Sequence, residues 1–536
     1  MTYDAIVLGA GHNALILQTY LGKAGLRTLS VERRSQAGGG LSTMEDPRNP
    51  GFLHNPHAFF LRSVTSMPWF VDLELARHGV SLLEPELNVS LLTGDNRVLE
   101  WWTDIERTIE SFARFNGADA RALRRWHDEF VPIVSEILRW EASSPPLPAE
   151  RRRELLMRSS AGRRLLEVSA ASPLEFVLSE FEDPVIQAGL LFFNGLREVD
   201  LRARGFGHHI AALLASPSKA QMARGGTAQL ARALEAAVRE SGGEIRTQTE
   251  PSRILVEGGR AVGVLTDSGE ELRAEGFVVS SLNPQQTFIS LIDDRHLPAD
   301  VVARAGSFRY NLLAPLFALH LNLREPLHYR ATDDHPELEE AFMVIMGLDH
   351  VDQFNDIVSH HERGTRAPTV MWGASPTRFD ESQAPAGAHT AFMWEKTPYA
   401  LGGDPRSWDR HKDEHGDTML ELWRRHAPNL ESAVIDKFTR SPLDVERSLH
   451  NMTAGDLLVG AFTDGQTGFD RPFPGAGGYR APGIDGLYLC GSSSHPGGNV
   501  TGLPGYNAAQ VILADLGAPG EWAPVPIEGR LAALGG

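Results

Sequence analysis

A chain of 536 residues, 42% of them hydrophobic and 22% charged, holds enough material for large cores and more than one domain, which excludes disorder along its whole length. A formal net charge of -18 repels phosphate backbones and argues against nucleic acid as a partner. The single cysteine, Cys490, excludes an internal disulfide and a multi-cysteine zinc centre.

The start, MTYDAIVLGAGHNA, lacks the basic leader of a signal peptide, and no run of about 18 apolar residues follows anywhere. The expectation is a cytoplasmic protein, with peripheral membrane contact left open. Residues 3–8 (YDAIVL) predict a strand, GAGHNA at 9–14 a glycine turn, and the spacing of Leu15, Ile16, Tyr20 and Leu21 a helix closed by Gly25. RTLSVE predicts a second strand. This is a βαβ unit carrying GxGxxA, a dinucleotide fingerprint. Gly9 permits a sharp turn, Gly11 lets a pyrophosphate approach the backbone, and Ala14 keeps the helix close to the strand. His12 and Asn13 open that helix, whose N-terminus offers free N–H groups and a positive dipole end to phosphates. Glu32 closes the second strand about 20 residues after the turn, where an acidic side chain accepts from ribose hydroxyls, and Arg33 follows it. A second glycine run, Gly38, Gly39 and Gly40, precedes Leu41. A nicotinamide site has no need of it. A flavin dinucleotide extended across the domain does, because it needs close backbone approach at both places, so the residues point to FAD.

Further along, Ile105, Ile109, Phe112, Phe130, Val134, Ile137 and Leu138 predict a largely helical stretch over 103–165, broken by SSPPLPAE at 143–150. Within 149–167, Arg151, Arg152, Arg153, Arg158, Arg163 and Arg164 alternate with leucines, which reads as a membrane-surface segment or as a solvated helix face. Residues 227–240 predict a helix, and 243–281 successive strands. Apolar runs at 313–324, 341–347, 369–373 and 391–394 predict more strands. In the last two, Trp372 and Trp394 either wall an apolar cavity or sit in a sheet core. His360, His361 and Glu362 are adjacent and point apart on helix or strand, so no metal is expected. Residues 484–490 predict a strand, followed by a glycine-rich loop and a helix. Residues 519–536 predict a loosely held tail.

Together these blocks resemble the phytoene-desaturase-like (phytoene dehydrogenase-related) family of FAD oxidoreductases, within the amine-oxidase-type flavoproteins. The resemblance rests on YDAIVLGAGHNA, VERR, GGG and PGF within 3–52, on ARGGTAQLARALEAAVRESGGEI at 223–245, on PSRILVEGGRAVGV and FVVSSLNP within 251–284, and on GLYLCGSSSHPGGNVTGLPGYNAA at 486–509, with weaker support from SPLDVERSL at 441–449. It implies an α/β fold: a discontinuous Rossmann-like FAD-binding domain from 1–70, 218–300 and 470–518, and an inserted substrate domain of mixed sheet plus helical cap from 71–217 and 301–469. It implies non-covalent FAD with adenine beside Pro251 and Ser252, where proline in place of the usual valine removes one backbone N–H. Gly491 would approach the phosphate or ribityl region. Gly502, Leu503, Gly505 and Tyr506 would lie beside the pyrimidine end of the ring, with Pro504 in the first turn of a helix.

The resemblance also implies hydride transfer from a substrate carbon to the flavin, with electrons passed on to oxygen, a quinone or another acceptor. The expected activity is dehydrogenation of an apolar, isoprenoid-like or alicyclic substrate. Amine oxidation, redox-neutral isomerisation and a non-catalytic flavin-containing binding protein are the alternatives. His495 and Tyr506 are the candidate catalytic residues. His495 either moves a proton near neutral pH or holds its loop, and Tyr506 either lines the substrate face or covers the flavin. His54, with Asn55, is a candidate for the ring edge and joins Trp372 and Trp394 as substrate lining. The oligomeric state is not legible in the sequence.

Overall fold

The computed structural model describes residues 2–192, 199–217, 219–518 and 526–534. Its first half is built on five parallel strands in the order Glu244–Arg246, Thr28–Val31, Tyr3–Leu8, Glu271–Ser280, Leu487–Leu489. The central strand Tyr3–Leu8 is buried on both faces, which is why it reads as a continuous apolar run and not as an alternation. Successive residues divide between two cores. Ala5 and Val7 pack under the helices His12–Lys23, Ala228–Glu240 and Leu503–Asp515. Ile6 and Leu8 pack on the other face, toward the helix Ala299–Gly306 and the antiparallel strands Pro251–Glu257 and Arg260–Thr266. The long strand Glu271–Ser280 serves both systems. Its first residues continue the antiparallel meander and its last ones join the parallel sheet.

The second half is a seven-stranded sheet in the order Val434–Arg440, Leu316–Leu323, His389–Lys396, Met371–Ala374, Met343–Met346, Leu87–Leu92, Val98–Trp102. Its neighbours are antiparallel except Met343–Met346 against Leu87–Leu92, so it is the mixed sheet expected. One face packs on the helix Trp408–His426. The other carries the helical cap, residues 105–192 and 199–215. The cap helices are started by side chains that take up free N–H groups: Asp104, Asn116, Ser159, Asp183, and Ser172, which forms a capping box with Glu175. The helix Gly117–Ile133 contains Pro132 and continues through a π-helical stretch, Val134–Leu138, into Arg139–Ala142. A proline inside a helix removes one backbone donor, and a wider turn accommodates the loss.

One expectation changes here, and one choice between two readings narrows. Within the segment read as a loose tail, Ile527–Ala533 is a helix, with Ile527 and Leu531 buried against the cap core. In the arginine-rich stretch, Leu155, Leu156 and Leu165 are buried in that same core, while Arg151, Arg152, Arg158 and Arg164 pair with Glu528, Glu141, Glu154 and Glu129. These leucines are therefore not available to a lipid surface. Among the described residues, no helix is long and apolar enough to cross a membrane.

Candidate active site

The C-terminal ends of four parallel strands open into one cavity of about 1170 Å3. Gly9 and Gly11 follow the first strand, Glu32 to Arg34 the second, Ser281 and Leu282 the long strand, and Gly491 and Ser492 the last. Ligands of open α/β sheets bind at this position. The volume exceeds the roughly 300–1,000 Å3 of a pocket for one small ligand, so a cofactor and a substrate fit together. Of the residues singled out from the sequence, Gly9, Gly11, His12, Asn13, Ala14, Glu32, Arg33, Gly39, Gly40, Pro251, Ser252, Gly491, His495, Leu503 and Trp394 line it.

The glycine turn can be tested for its fit to a diphosphate. Gly9 has φ +84, and a Cβ there would stand 2.6 Å from Ser281 Oγ, so the protein's own packing demands glycine. Gly11 has an ordinary φ of -72, and a Cβ would meet no protein atom within 4 Å. The space in front of Gly11 is open cavity, as close approach of a ligand to the backbone requires. The second glycine run is part of the same cradle. Gly38 bridges Gly11 in parallel fashion, and a Cβ on Gly39, at φ +60, would come within 3.2 Å of Gly11 Cα. The Glu32 carboxylate accepts from the N–H of Ala10 at 3.0 Å and of Arg34 at 2.9 Å, tying the two strand exits together. Asn13 donates to Ser492 Oγ at 3.1 Å, which joins the turn to the last block. The residues fit FAD.

Other candidates lie off the cavity, each for a packing reason. A Cβ on Gly505 would collide with Asn13 O, so this glycine lets the helix Leu503–Asp515 touch the helix His12–Lys23. Gly502, at φ +67, sits against Ile16 and Trp69. Leu41 is in the core beneath the sheet helices. The Tyr506 ring points away from the cavity onto Tyr20, centroids 5.6 Å apart, and burial pushes its hydroxyl pKa up. It is not among the residues that line the cavity. His54 is buried in a polar network, donating to Asn322 Oδ1 at 2.8 Å, while Asn322 donates to Asp46 at 2.7 Å. Trp372 is the register partner of Trp394 on the neighbouring strand, beside it on the same face but off the cavity, and packs on Phe192. His360, His361 and Glu362 do point apart, toward Thr365, Ile357 O and Arg202.

His495 lines the cavity and donates Nε2–H to Glu141 O at 3.0 Å. Burial lowers its pKa to about 4, with Arg471 and Arg152 adding to the effect, so the ring is neutral at pH 7. A neutral ring committed to a carbonyl holds structure and is poorly suited to carry protons. The loop 457–462, which brings Leu457, Leu458, Val459 and Phe462 to the cavity, is held by two buried charges. Asp456 accepts from the N–H groups of Asn311, Leu458 and Gly460, each at 2.8 Å. Arg471 donates to the carbonyls of Gly460, Ala461, Gln466 and Ser492.

Away from the glycine turns the cavity walls are apolar: Phe59 and Phe60 come from the loop after the second glycine run, and Val134, Leu138, Trp140, Leu213, Leu316 and Trp394 from the inserted half. Val134 and Leu138 belong to the π-helical stretch, a feature frequent at functional sites. Trp394 stacks edge-on with Phe60 at 5.6 Å. His57, His208 and Lys396 add polar groups to the wall. Burial, reinforced by Arg440 and Arg34, holds His57 well below the usual histidine range. Of these, the sequence reading singled out Trp394 and missed the rest. The only available signal was that His57, Phe59 and Phe60 follow the second glycine run closely.

A family model described as flavin-containing amine oxidoreductase matches residues 19–513. A component chain of the limonene dehydrogenase of Castellaniella defragrans is 29% identical over 96% of this chain and 95% of its own. A lycopene-forming phytoene desaturase of a Paracoccus species is 23% identical over 96% and 97%. Among solved structures, cyclohexylamine oxidase from Brevibacterium oxydans superposes with a TM-score of 0.58 at 13% identity, covering 96% of this chain and all of that one. The last likeness concerns the fold alone.

Proposed function

The chain belongs to the family of flavin-containing amine oxidoreductases, and we propose from that premise that it dehydrogenates an apolar, alicyclic or isoprenoid-like substrate at a carbon–carbon bond. The observation that carries this reading is the continuity of the cavity, which runs from the glycine cradle to a wall of Phe59, Phe60, Leu138, Leu213 and Trp394. Relatives named for limonene and phytoene, both hydrocarbons by name, support the substrate class. FAD is the cofactor, and when bound it supplies the hydride acceptor.

In this reading Gly9, Gly11, Gly39 and Gly40 hold the diphosphate region, Glu32 faces ribose, and Pro251 and Ser252 face adenine. Cys490 is buried in the sheet core with its pKa pushed up, which agrees with non-covalent binding. The apolar wall orients the substrate and excludes water, which protects a developing carbocation or enolate from side reactions. His495 and Glu141 hold the wall. Oxygen or a quinone takes the electrons, and the enzyme works in the cytoplasm.

The test is anaerobic mixing of the FAD-loaded protein with limonene and, separately, with a linear polyene. Loss of the oxidised flavin absorption, with a product carrying one more carbon–carbon double bond, is expected. An imine or aldehyde formed from an amine would assign amine oxidation. An isomer formed with no acceptor consumed would assign the redox-neutral alternative.

A further inference from the structure

The segment 138–144 ends a helix, where carbonyls lose their intrahelical partners. Leu138, Arg139, Trp140, Glu141, Ala142 and Ser143 line the cavity. The carbonyls of 141–144 are all claimed by side chains of the C-terminal flavin block. His495 donates to Glu141 O at 3.0 Å. Asn507, fully buried, donates to Ala142 O at 3.0 Å and Ser144 O at 3.1 Å, and Gln510 donates to Ser143 O at 3.0 Å. From the other side, the last helix lays the Arg530 guanidinium over Trp140, 3.4 Å from the ring centroid, and pairs Glu528 with Arg151. Arg152 closes the frame with two bonds to the Glu141 carboxylate, 2.6 and 2.8 Å.

We propose that His495, Asn507 and Gln510, together with the final helix, are positioning elements that fix 138–144 as a rigid wall of the substrate chamber. The wall is then no lid: the cap stays docked during turnover, and substrate reaches the chamber by another side. Three uncharged donors from one block meeting four consecutive carbonyls of another is a docking arrangement insensitive to pH above about 5, because the histidine is neutral there. This inference rests on the substrate end assigned under the proposed function, but its first test does not.

The experiment is hydrogen exchange on the FAD-loaded protein, comparing wild type with Asn507→Ala, His495→Phe, His495→Gln and a chain truncated after residue 518. Exchange in 138–147 should accelerate about tenfold or more in the first, second and fourth, with 3–23 unaffected. His495→Gln, whose amide can still donate, should restore much of the protection. Unchanged exchange in 138–147 in Asn507→Ala and in the truncated chain would overturn the proposal. So would equal acceleration throughout the flavin half, which marks general loosening. With limonene as the probe, Asn507→Ala should raise KM about tenfold while kcat falls less than about threefold, and a fall in kcat alone would also overturn it. Should limonene fail to react with wild type, the substrate reading fails while the exchange result still decides the wall.

Discussion

The two ends of the cavity are built by different means. At the cofactor end the contacts are backbone: glycines at strand exits, a helix N-terminus, and one carboxylate closing the turn. At the substrate end they are side chains, brought from a loop after the second glycine run, from a π-helical stretch, from a sheet strand and from a loop held by Asp456 and Arg471. A backbone site tolerates almost no change at a few positions and great change elsewhere. A side-chain site can be re-lined residue by residue, provided the frame that carries it stays rigid. One fold can therefore keep its cofactor while its relatives carry names as different as limonene dehydrogenase and phytoene desaturase.

The frame should be the most costly part to break. Arg471→Met takes the side-chain donor from the carbonyls of Gly460, Gln466 and Ser492, leaves Ala461 O with Gln466 Nε2 alone, and removes a buried cation near Asp456. Losing one partner of a buried charged network costs about 3–5 kcal/mol, and urea unfolding should show a loss of that size. FAD affinity should fall less than stability if the two ends are as separate as the geometry has them.

The cofactor end should break differently. Gly11→Val is expected to fold normally, since nothing in the protein stands within 4 Å of the new Cβ, yet to bind FAD on the order of 100-fold more weakly. Gly9→Ala should do the reverse, losing about 2 kcal/mol of stability or more from its left-handed φ and its contact with Ser281. FAD titration by fluorescence quenching, paired with unfolding curves, separates the two. Similar profiles for the two variants would dissolve the distinction between glycines kept for the ligand and glycines kept for packing.

This contrast also explains what could be read in advance. The glycine turn, Glu32 and the parallel strands were legible because each is a local backbone demand with a fixed spacing. Gly502 and Gly505 were legible as glycines but not in purpose, since only the structure shows Asn13, Ile16 and Trp69 against them. Trp372 and Trp394 look alike in sequence and sit opposite each other in the sheet, but the way the sheet meets the cap decides which one faces the cavity. Tyr506 carried no local sign that its ring would turn to Tyr20. Phe59, Phe60 and Leu213 belong to one wall only through contacts distant in sequence, and no period or motif encodes that.

Acid should weaken the inserted half. His361 lies in that half and His54, from the 1–70 segment, packs against its strand Leu316–Leu323; both are buried with pKa values lowered to about 4, chiefly by loss of solvation. The folded pKa lies below the ordinary histidine value of 6.5. The unfolded chain therefore takes up protons that the fold refuses between about 6.5 and 4, and stability falls as pH drops through that window. The slope is about 1.4 kcal/mol per pH unit for each such proton. His54→Gln, which keeps a donor for Asn322, should flatten the curve by one proton's share between about pH 6 and 5. An unchanged slope would mean that His54 takes up its proton in the folded state as well.

At the substrate wall the expected effects are smaller and confined to one constant. Trp394→Leu should raise KM for limonene by about three- to tenfold, equivalent to about 1 kcal/mol, with the flavin spectrum little changed. Trp372→Leu, beside it on the next strand and off the cavity, should cost about 1–3 kcal/mol of stability and leave KM nearly alone. If Trp372→Leu moved KM as far as Trp394→Leu, the wall would extend across to the neighbouring strand.

The mildest change goes back to the cofactor end and adds a contact. Pro251 lines the cavity at the start of the strand Pro251–Glu257, opposite Thr266 in the antiparallel ladder, and its nitrogen carries no hydrogen. If the backbone here faces adenine, Pro251→Val supplies an N–H where proline offers only a carbonyl. A net hydrogen bond contributes about 1 kcal/mol, so FAD should bind about three- to fivefold more tightly, with stability nearly unchanged because an edge position tolerates either residue. Dissociation constants of the two proteins measured side by side decide it. Tighter binding would extend the backbone character of the cofactor end to the adenine, whereas equal binding would place adenine beyond reach of residue 251 and leave its recognition to side chains, making the far end of the cofactor resemble the substrate wall.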